Sequence, residues 1–154
     1  MNSMLQNVVR EGTARSLQTH GISWPVAGKT GTTNDFKDAW FVGYTPDILA
    51  LIWVGFDNGD SIEATGAAAA LPIWADLMNA IPRYRSDMEF KVPEGVEKIR
   101  VCPVTGLRAV DGCPEPTEVY FLTGHTPAAD CPLHAKRGIA GKFIKGVKDL
   151  INGQ

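Results

Sequence analysis

The pattern of apolar positions predicts a helix at the start of the chain. Met4, Leu5, Val8 and Val9 lie on one face of a helix over residues 2–14, and Gly12 is a natural end for it. Residues 15–23 are polar and predict a connection rather than a further element.

After residue 23, the pattern of apolar residues becomes typical of strands separated by short turns. Three apolar or β-branched runs, at residues 26–33, 39–44 and 48–56, predict three strands. Turn residues such as Asn34, Asp35 and Asp47 separate them, and such short connections predict antiparallel neighbours. Since the runs are apolar almost throughout, we expect a sheet covered on both faces.

Residues 65–81 return to a helical period. Thr65 is a candidate N-cap, Pro72 indicates an early-turn position or a kink, and Pro82 ends the segment. The fold class predicted for residues 1–85 is therefore α+β, a three-stranded antiparallel meander with flanking helices.

The remainder of the chain differs in character. Residues 86–135 are rich in proline, glycine and cysteine and predict a loop-rich extension with short strands at 96–102 and 118–122. Residues 136–154 predict a basic amphipathic C-terminal helix, packed on its own protein or touching a membrane surface.

Charge and hydropathy exclude some classes of function. The net charge of −2 does not indicate a nucleic-acid partner. No apolar run reaches the length of about 18 residues that a membrane-spanning helix needs, and the first residues do not form a signal peptide. A membrane anchor is therefore expected only in sequence upstream of Met1.

Three cysteines, Cys102, Cys113 and Cys131, lie in the extension. A Cys113–Cys131 disulfide or free buried thiols are the alternatives, and a disulfide would need an oxidising compartment. Cys131 and His134 resemble half of a zinc site, but no second close ligand pair is evident, so no metal is predicted. The histidines, His20, His125 and His134, are expected on the surface or in loops.

Lys29-Thr30-Gly31 is the motif that indicates chemistry, since it recurs in serine enzymes that react with penicillin. On an edge strand, Gly31 would let an extended peptide approach the backbone, and Lys29 would place a positive charge beside it. Thr30 and Thr32 are two apart, so their hydroxyls share a face and could bind a carboxylate. Each residue alone also suits an ordinary surface strand.

The wider context resembles class A penicillin-binding proteins, the bifunctional glycosyltransferase–transpeptidases of the bacterial envelope. The similar segments are residues 28–35, 38–46 and 53–57, and the likeness continues weakly through the cysteine-containing extension. The resemblance implies part of a penicillin-binding-protein/β-lactamase-like transpeptidase fold. It implies that Lys29 and Thr32 are catalytic, with the Thr32 N–H in the oxyanion hole, and that Thr30, Gly31 and Thr33 bind substrate. Packing rather than chemistry is expected of the aromatic residues Trp40, Tyr44, Trp53 and Trp74.

The family's nucleophile is absent from this sequence. Lysine does not follow three positions after any of the five serines, which are Ser3, Ser16, Ser23, Ser61 and Ser86. Because nucleophile and base act as a unit, we expect this chain to be inactive alone and to be part of a longer transpeptidase.

Two functions remain at this stage. In the first, the intact protein binds D-Ala-D-Ala stem peptides of peptidoglycan and β-lactams at the extracytoplasmic face of the bacterial inner membrane, without a cofactor. In the second, the chain is a non-enzymatic envelope binding or scaffold module.

Overall fold

A computed structural model describes residues 1–84 and 88–135. The chain forms two compact units, Met1–Lys91 and Val92–Gln154, each of which is described by itself. The sequence predicts a boundary after residue 85, whereas the units divide after Lys91. The predicted helix over residues 136–154 lies outside the described residues.

Unit 1 begins with the predicted helix. Helix α1 spans Asn2–Arg10 and ends two residues before Gly12, where the chain turns. The connection that follows contains a 3₁₀ helix, Arg15–His20, which the polar sequence did not predict. Gly21 ends it with a φ of 79°, a conformation that glycine adopts without strain. Leu17, fully buried, anchors this short helix in the core.

Three strands form the sheet of unit 1: β1 is Ala27–Thr32, β2 is Asp38–Tyr44 and β3 is Leu49–Gly55. Their order is β1-β2-β3 and both pairs are antiparallel, which confirms the predicted meander. The β1–β2 turn holds Asp35 and Phe36 at φ values of 59° and 53°. These left-handed conformations are uncommon outside glycine and make the connection tight.

Helix α2, Ala70–Ala80, covers one face of this sheet. It begins five residues later than predicted, so Pro72 lies in its first turn, where a missing N–H costs little. Thr65 does not cap it; the Thr65 hydroxyl instead accepts a hydrogen bond from the Ala68 N–H in the preceding turn, at 3.2 Å. Trp74 is fully buried, meets Phe41 edge to face at 5.4 Å, and donates its indole N–H to the Ala50 carbonyl at 3.1 Å.

The opposite face of the sheet is apolar and largely open among the described residues of unit 1, so the expected cover on both faces is not seen there. Trp40 and Trp53 pack across the strands at 6.0 Å and remain 37% and 43% exposed. Leu49 and Leu51 are 63% and 51% exposed on the same face. The sequence pattern correctly predicts apolar side chains on both faces of the sheet. It does not indicate which residues cover those faces.

Unit 2 contains the two short strands that the sequence predicts. Strands β4, Val96–Val101, and β5, Thr117–Leu122, form an antiparallel pair. Residues 132–135 are helical. Within the described residues of both units, no helix has the length and apolar character required to cross a bilayer.

Candidate functional site

Strand β1 is an edge strand among the described residues of unit 1, because it pairs only with β2. The Thr33 N–H donates to the Asp38 carbonyl at 3.0 Å. In an antiparallel ladder, bonded and non-bonded pairs alternate, so Gly31 and Lys29 also face β2 with their backbone groups. The N–H and C=O groups of Thr30 and Thr32 therefore point away from β2, towards the open edge.

Lys29 brings a positive charge to this edge. Its side chain is exposed and its ammonium group donates to the Thr30 carbonyl at 2.7 Å. The Thr30 carbonyl is one of the backbone groups that point away from β2. The positive charge therefore lies beside the groups with which an added strand would form hydrogen bonds. The arrangement suits an extended ligand that carries a negative charge.

The hydroxyls of Thr30 and Thr32 lie on the face of β1 opposite Lys29, as their spacing predicts. The Thr30 hydroxyl lies 2.8 Å from the hydroxyl of Thr13, on the segment after α1. The Thr32 hydroxyl accepts a hydrogen bond from the Gly66 N–H at 3.0 Å. A hydroxyl that accepts in this way keeps its own hydrogen to donate, so Thr32 can still bind an oxygen of a ligand.

Gly31 and Thr33 have local structural roles besides any contact with substrate. A Cβ at position 31 would lie 3.2 Å from the Cβ of Trp40, which is tighter than ordinary contact. The Thr33 hydroxyl accepts from the Asp38 N–H at 2.8 Å and lies 3.1 Å from its carboxylate. Thr33 thereby closes the β1–β2 turn.

Gly66 is the site-shaping residue that sequence reasoning did not find. The segment 61–66 passes over the β1–β2 turn, where the Ile62 N–H donates to the Phe36 carbonyl at 2.9 Å. A Cβ at position 66 would clash with the carbonyl oxygens of both Gly31 and Trp40. Only the bare glycine backbone fits here, and a glycine before four alanines gives no sequence signal of such an approach.

A second group of chemically active side chains lies in unit 2. Cys102, Cys113, Cys131 and His134 are all buried, and their four ligand atoms lie within 4.8 Å of one another. The His134 Nδ1 is 3.2 Å from the Cys131 sulfur and 3.4 Å from the Cys102 sulfur. The fold thus supplies the second pair of ligands that the sequence spacing did not reveal.

Two expectations are corrected by this cluster. All three cysteines are free thiols, so the Cys113–Cys131 disulfide is not formed and the free-thiol alternative describes the structure. His134, expected in a surface or loop position, is only 6% exposed. Cys102 meets Cys131 and His134, which lie 29 and 32 positions further along the chain. They come together because β4, the turn after it and the 132–135 helix converge.

Burial and hydrogen bonding shift the pKa values of this cluster. Burial raises the pKa of the Cys131 thiol, but hydrogen bonds with Thr105, His134 and Cys102 outweigh burial and lower it to about 6. Burial also raises the pKa of Cys102, yet hydrogen bonds from the Thr105 and Val104 backbone produce a net lowering. The pKa of Cys113 is raised by burial, and that of His134 is raised chiefly by its hydrogen bond with Cys131.

Comparison with known protein families identifies both units. Residues 1–79 match the penicillin binding protein transpeptidase domain, and residues 92–136 match the C-terminal domain of penicillin-binding protein 1A. Penicillin-binding protein 1A of Aquifex aeolicus is 39% identical over 130 residues, which is 83% of this chain and 18% of that protein. The Pseudomonas aeruginosa protein of the same name is 39% identical over 129 residues, which is 82% of this chain and 16% of the relative.

A solved structure agrees with these matches. The crystal structure of penicillin-binding protein 1A from Haemophilus influenzae superposes with a TM-score of 0.71 at 25% identity, covering 84% of this chain and 20% of that one. The chain thus spans about a fifth or less of the length of the relatives that it matches. It belongs to the penicillin-binding protein family, with a class A transpeptidase segment followed by a penicillin-binding protein 1A C-terminal domain.

Proposed function

We propose that this chain supplies the substrate-binding edge strand of a peptidoglycan DD-transpeptidase, the enzyme that cross-links the bacterial cell wall. The observation that carries the proposal is the open edge of β1, where the outward backbone groups of Thr30 and Thr32 lie beside the Lys29 ammonium group. The proposed ligands are the D-Ala-D-Ala end of a stem peptide and the β-lactams that imitate it.

Peptide binding follows from the chemistry of the edge. An extended stem peptide would pair with the outward N–H and C=O groups of Thr30 and Thr32 as an added strand. Its terminal carboxylate would accept hydrogen bonds from the threonine hydroxyls and be attracted by Lys29. Gly31, between the two threonines, adds no side chain against the incoming backbone.

The same strand would stabilise the transition state. Attack on the peptide carbonyl develops negative charge on its oxygen, and preorganised N–H donors stabilise that charge. The Thr32 N–H points to the open edge and is held by a rigid ladder, so it suits the role of one donor. The Gly66–Thr32 hydrogen bond supports this by fixing the end of β1.

The nucleophile of the proposed reaction comes from outside these 154 residues. None of the five serines is followed three positions later by lysine, which is the pattern of the family's reactive serine and its base. We therefore propose that the chain alone is inactive and that the complete protein acts at the extracytoplasmic face of the bacterial inner membrane, anchored by sequence other than these residues. Its partners there would be the stem peptides.

The test places this chain in a complete enzyme. Residues 1–84 would replace the corresponding segment of Pseudomonas aeruginosa penicillin-binding protein 1A, which supplies the remainder of the transpeptidase. We expect fluorescent penicillin to label the chimera covalently and the 154-residue chain not at all. We expect Lys29→Ala to slow labelling by about 10–100-fold, because it removes one charged partner of the ligand carboxylate.

The matched control is Lys37→Ala, which removes an exposed lysine from the β1–β2 turn without touching the open edge. It should label at the rate of the parent chimera. A folded chimera that is not labelled, or equal loss from Lys29→Ala and Lys37→Ala, would contradict the proposal. Labelling of the 154-residue chain itself would contradict the absence of the nucleophile.

A further inference from the structure

Unit 2 lacks the apolar core that usually stabilises a small domain. The buried residues of its described part are Val101, the three cysteines and His134, with Ala109 and Val110 packed against the cysteines. Larger apolar side chains such as Val104, Leu122 and Leu133 are 58–64% exposed. Domains with so small an apolar core are generally held together by disulfides or a metal ion.

The four buried side chains have the composition of a structural zinc site. We propose that Cys102, Cys113, Cys131 and His134 bind one zinc ion, which holds unit 2 together. Three sulfurs and one imidazole nitrogen are a recurrent tetrahedral set for Zn²⁺, and four protein ligands leave no position for substrate, so the site is structural.

The distances fit this assignment. In a regular tetrahedral site with Zn–S near 2.3 Å and Zn–N near 2.0 Å, neighbouring ligand atoms lie roughly 3.5–3.8 Å apart. The two sulfur–Nδ1 distances are 3.2 and 3.4 Å, and the whole set lies within 4.8 Å. Both contacts use the same nitrogen of His134, which therefore faces the centre of the cluster.

Each cysteine is held by its own backbone. The Cys102 N–H donates to the Leu107 carbonyl and its carbonyl accepts from the Gly106 N–H, both at 2.8 Å, in a tight turn after β4. Gly106 has a φ of 67°, which favours glycine at that position. The Cys131 N–H likewise donates to the Arg108 carbonyl at 2.9 Å. Ligands fixed in this way need little rearrangement to bind the ion.

Hydrogen bonds around the cluster suit a bound thiolate. The Val110 N–H lies 3.4 Å from the Cys113 sulfur. The Thr105 hydroxyl accepts a hydrogen bond from the Leu107 N–H at 3.3 Å, in the turn that holds Cys102. Such outer contacts orient metal ligands and disperse their negative charge.

A disulfide does not explain the cluster equally well. Any disulfide among the three cysteines would leave the third thiol and the His134 ring buried. It would not explain why these two groups lie beside the disulfide. A zinc ion satisfies all four groups at once. The inference is independent of the proposed transpeptidase role, since it concerns unit 2 alone.

The first test is metal content. The 154-residue chain would be produced with zinc in the medium, purified without chelator, and measured for zinc by mass spectrometry and for thiols with a thiol reagent under native conditions. We expect one zinc per chain and thiols that react fully only after a chelator is added. A chain without stoichiometric zinc, or with an intramolecular disulfide, would overturn the proposal.

Variants separate the site from general folding. Cys131→Ser should weaken zinc binding by roughly 100-fold or more, His134→Cys should retain it, and His125→Gln, at an exposed loop histidine, should leave it unchanged. All four tryptophans lie in unit 1, so tryptophan fluorescence shows whether a variant retains that unit.

Cobalt titration covers the case in which a variant of unit 2 does not fold. Co²⁺ added to the reduced metal-free parent chain should give the intense visible absorption of tetrahedral cobalt bound to thiolates, saturating at one equivalent and displaced by Zn²⁺. The absence of that spectrum would overturn the proposal irrespective of any variant.

Discussion

The backbone N–H of Gly66 donates to the hydroxyl of Thr32 at 3.0 Å, across 34 positions of the sequence. This bond ties the segment before α2 to the last residue of β1. Because we assign the Thr32 N–H to the oxyanion hole, this packing contact would also position a proposed catalytic group. Glycine is required at position 66 because a Cβ there would clash with the carbonyl oxygens of Gly31 and Trp40.

Gly66→Ala should destabilise unit 1 by about 1–3 kcal/mol, because its Cβ clashes with two backbone carbonyl oxygens that cannot rotate away. Urea unfolding followed by circular dichroism measures the change. Ala68→Ser, at an exposed position of the same segment, is the control and should change stability by less than about 0.5 kcal/mol. Equal stability of Gly66→Ala and the parent would show that the backbone of Gly66 does not pack closely against β1.

Thr32→Val in the chimera should slow penicillin acylation, because it removes both the acceptor for Gly66 and the donor for the ligand carboxylate. Thr32→Ser keeps the hydroxyl and should retain most of the rate. Stopped-flow or gel-based labelling gives the two rates. If valine and serine behave alike, the hydroxyl has no part in binding.

Much of unit 1 could be predicted from the sequence because its signals are local. Strand-forming runs separated by turn residues fix a meander, and Lys29, Gly31 and the threonines marked β1 as the strand that we propose binds substrate. The late start of α2 could not be predicted from Thr65, since the alanines after it suit both a turn and a helix. Whether the second face of the sheet is covered depends on tertiary structure. Trp40, Leu51 and Trp53 give the same apolar pattern whether or not other residues pack on them.

The unit 2 cluster escaped sequence reasoning for a different reason. Zinc sites are usually recognised from close pairs of ligands, and here only Cys131 and His134 are close along the chain. Cys102 and Cys113 join them through the β4 turn and the loop after it. Thr105, whose hydroxyl accepts a hydrogen bond from the Leu107 N–H in the turn after β4, carried no signal in the sequence.

Trp74→Ala should destabilise unit 1 by about 3–5 kcal/mol, since Trp74 is fully buried against Phe41 and its indole N–H bonds the Ala50 carbonyl. Trp53→Ala removes a tryptophan that is 43% exposed and should cost much less. Chemical unfolding monitored by circular dichroism compares the two. A Trp53→Ala loss as large as that of Trp74→Ala would mean that the open face is the true core.

Thr105→Val should weaken zinc binding by about 10–100-fold while leaving the four ligands in place, because it removes the hydroxyl that accepts a hydrogen bond from the Leu107 N–H at 3.3 Å in the turn that holds Cys102. Competition with a chromophoric chelator measures the affinity. Thr123→Val, at an exposed position in the same unit, is the matched control and should bind zinc as the parent does. Equal zinc affinities of Thr105→Val and Thr123→Val would show that Thr105 has no part in zinc binding.

A crystal structure of the penicillin-acylated chimera would show directly whether β1 binds the ligand. We predict the antibiotic along the open edge of β1, with its acyl oxygen about 2.7–3.1 Å from the Thr32 N–H and its carboxylate beside the Thr30 and Thr32 hydroxyls. An acyl group bound with its oxygen away from Thr32, or a carboxylate held by residues outside β1, would contradict it.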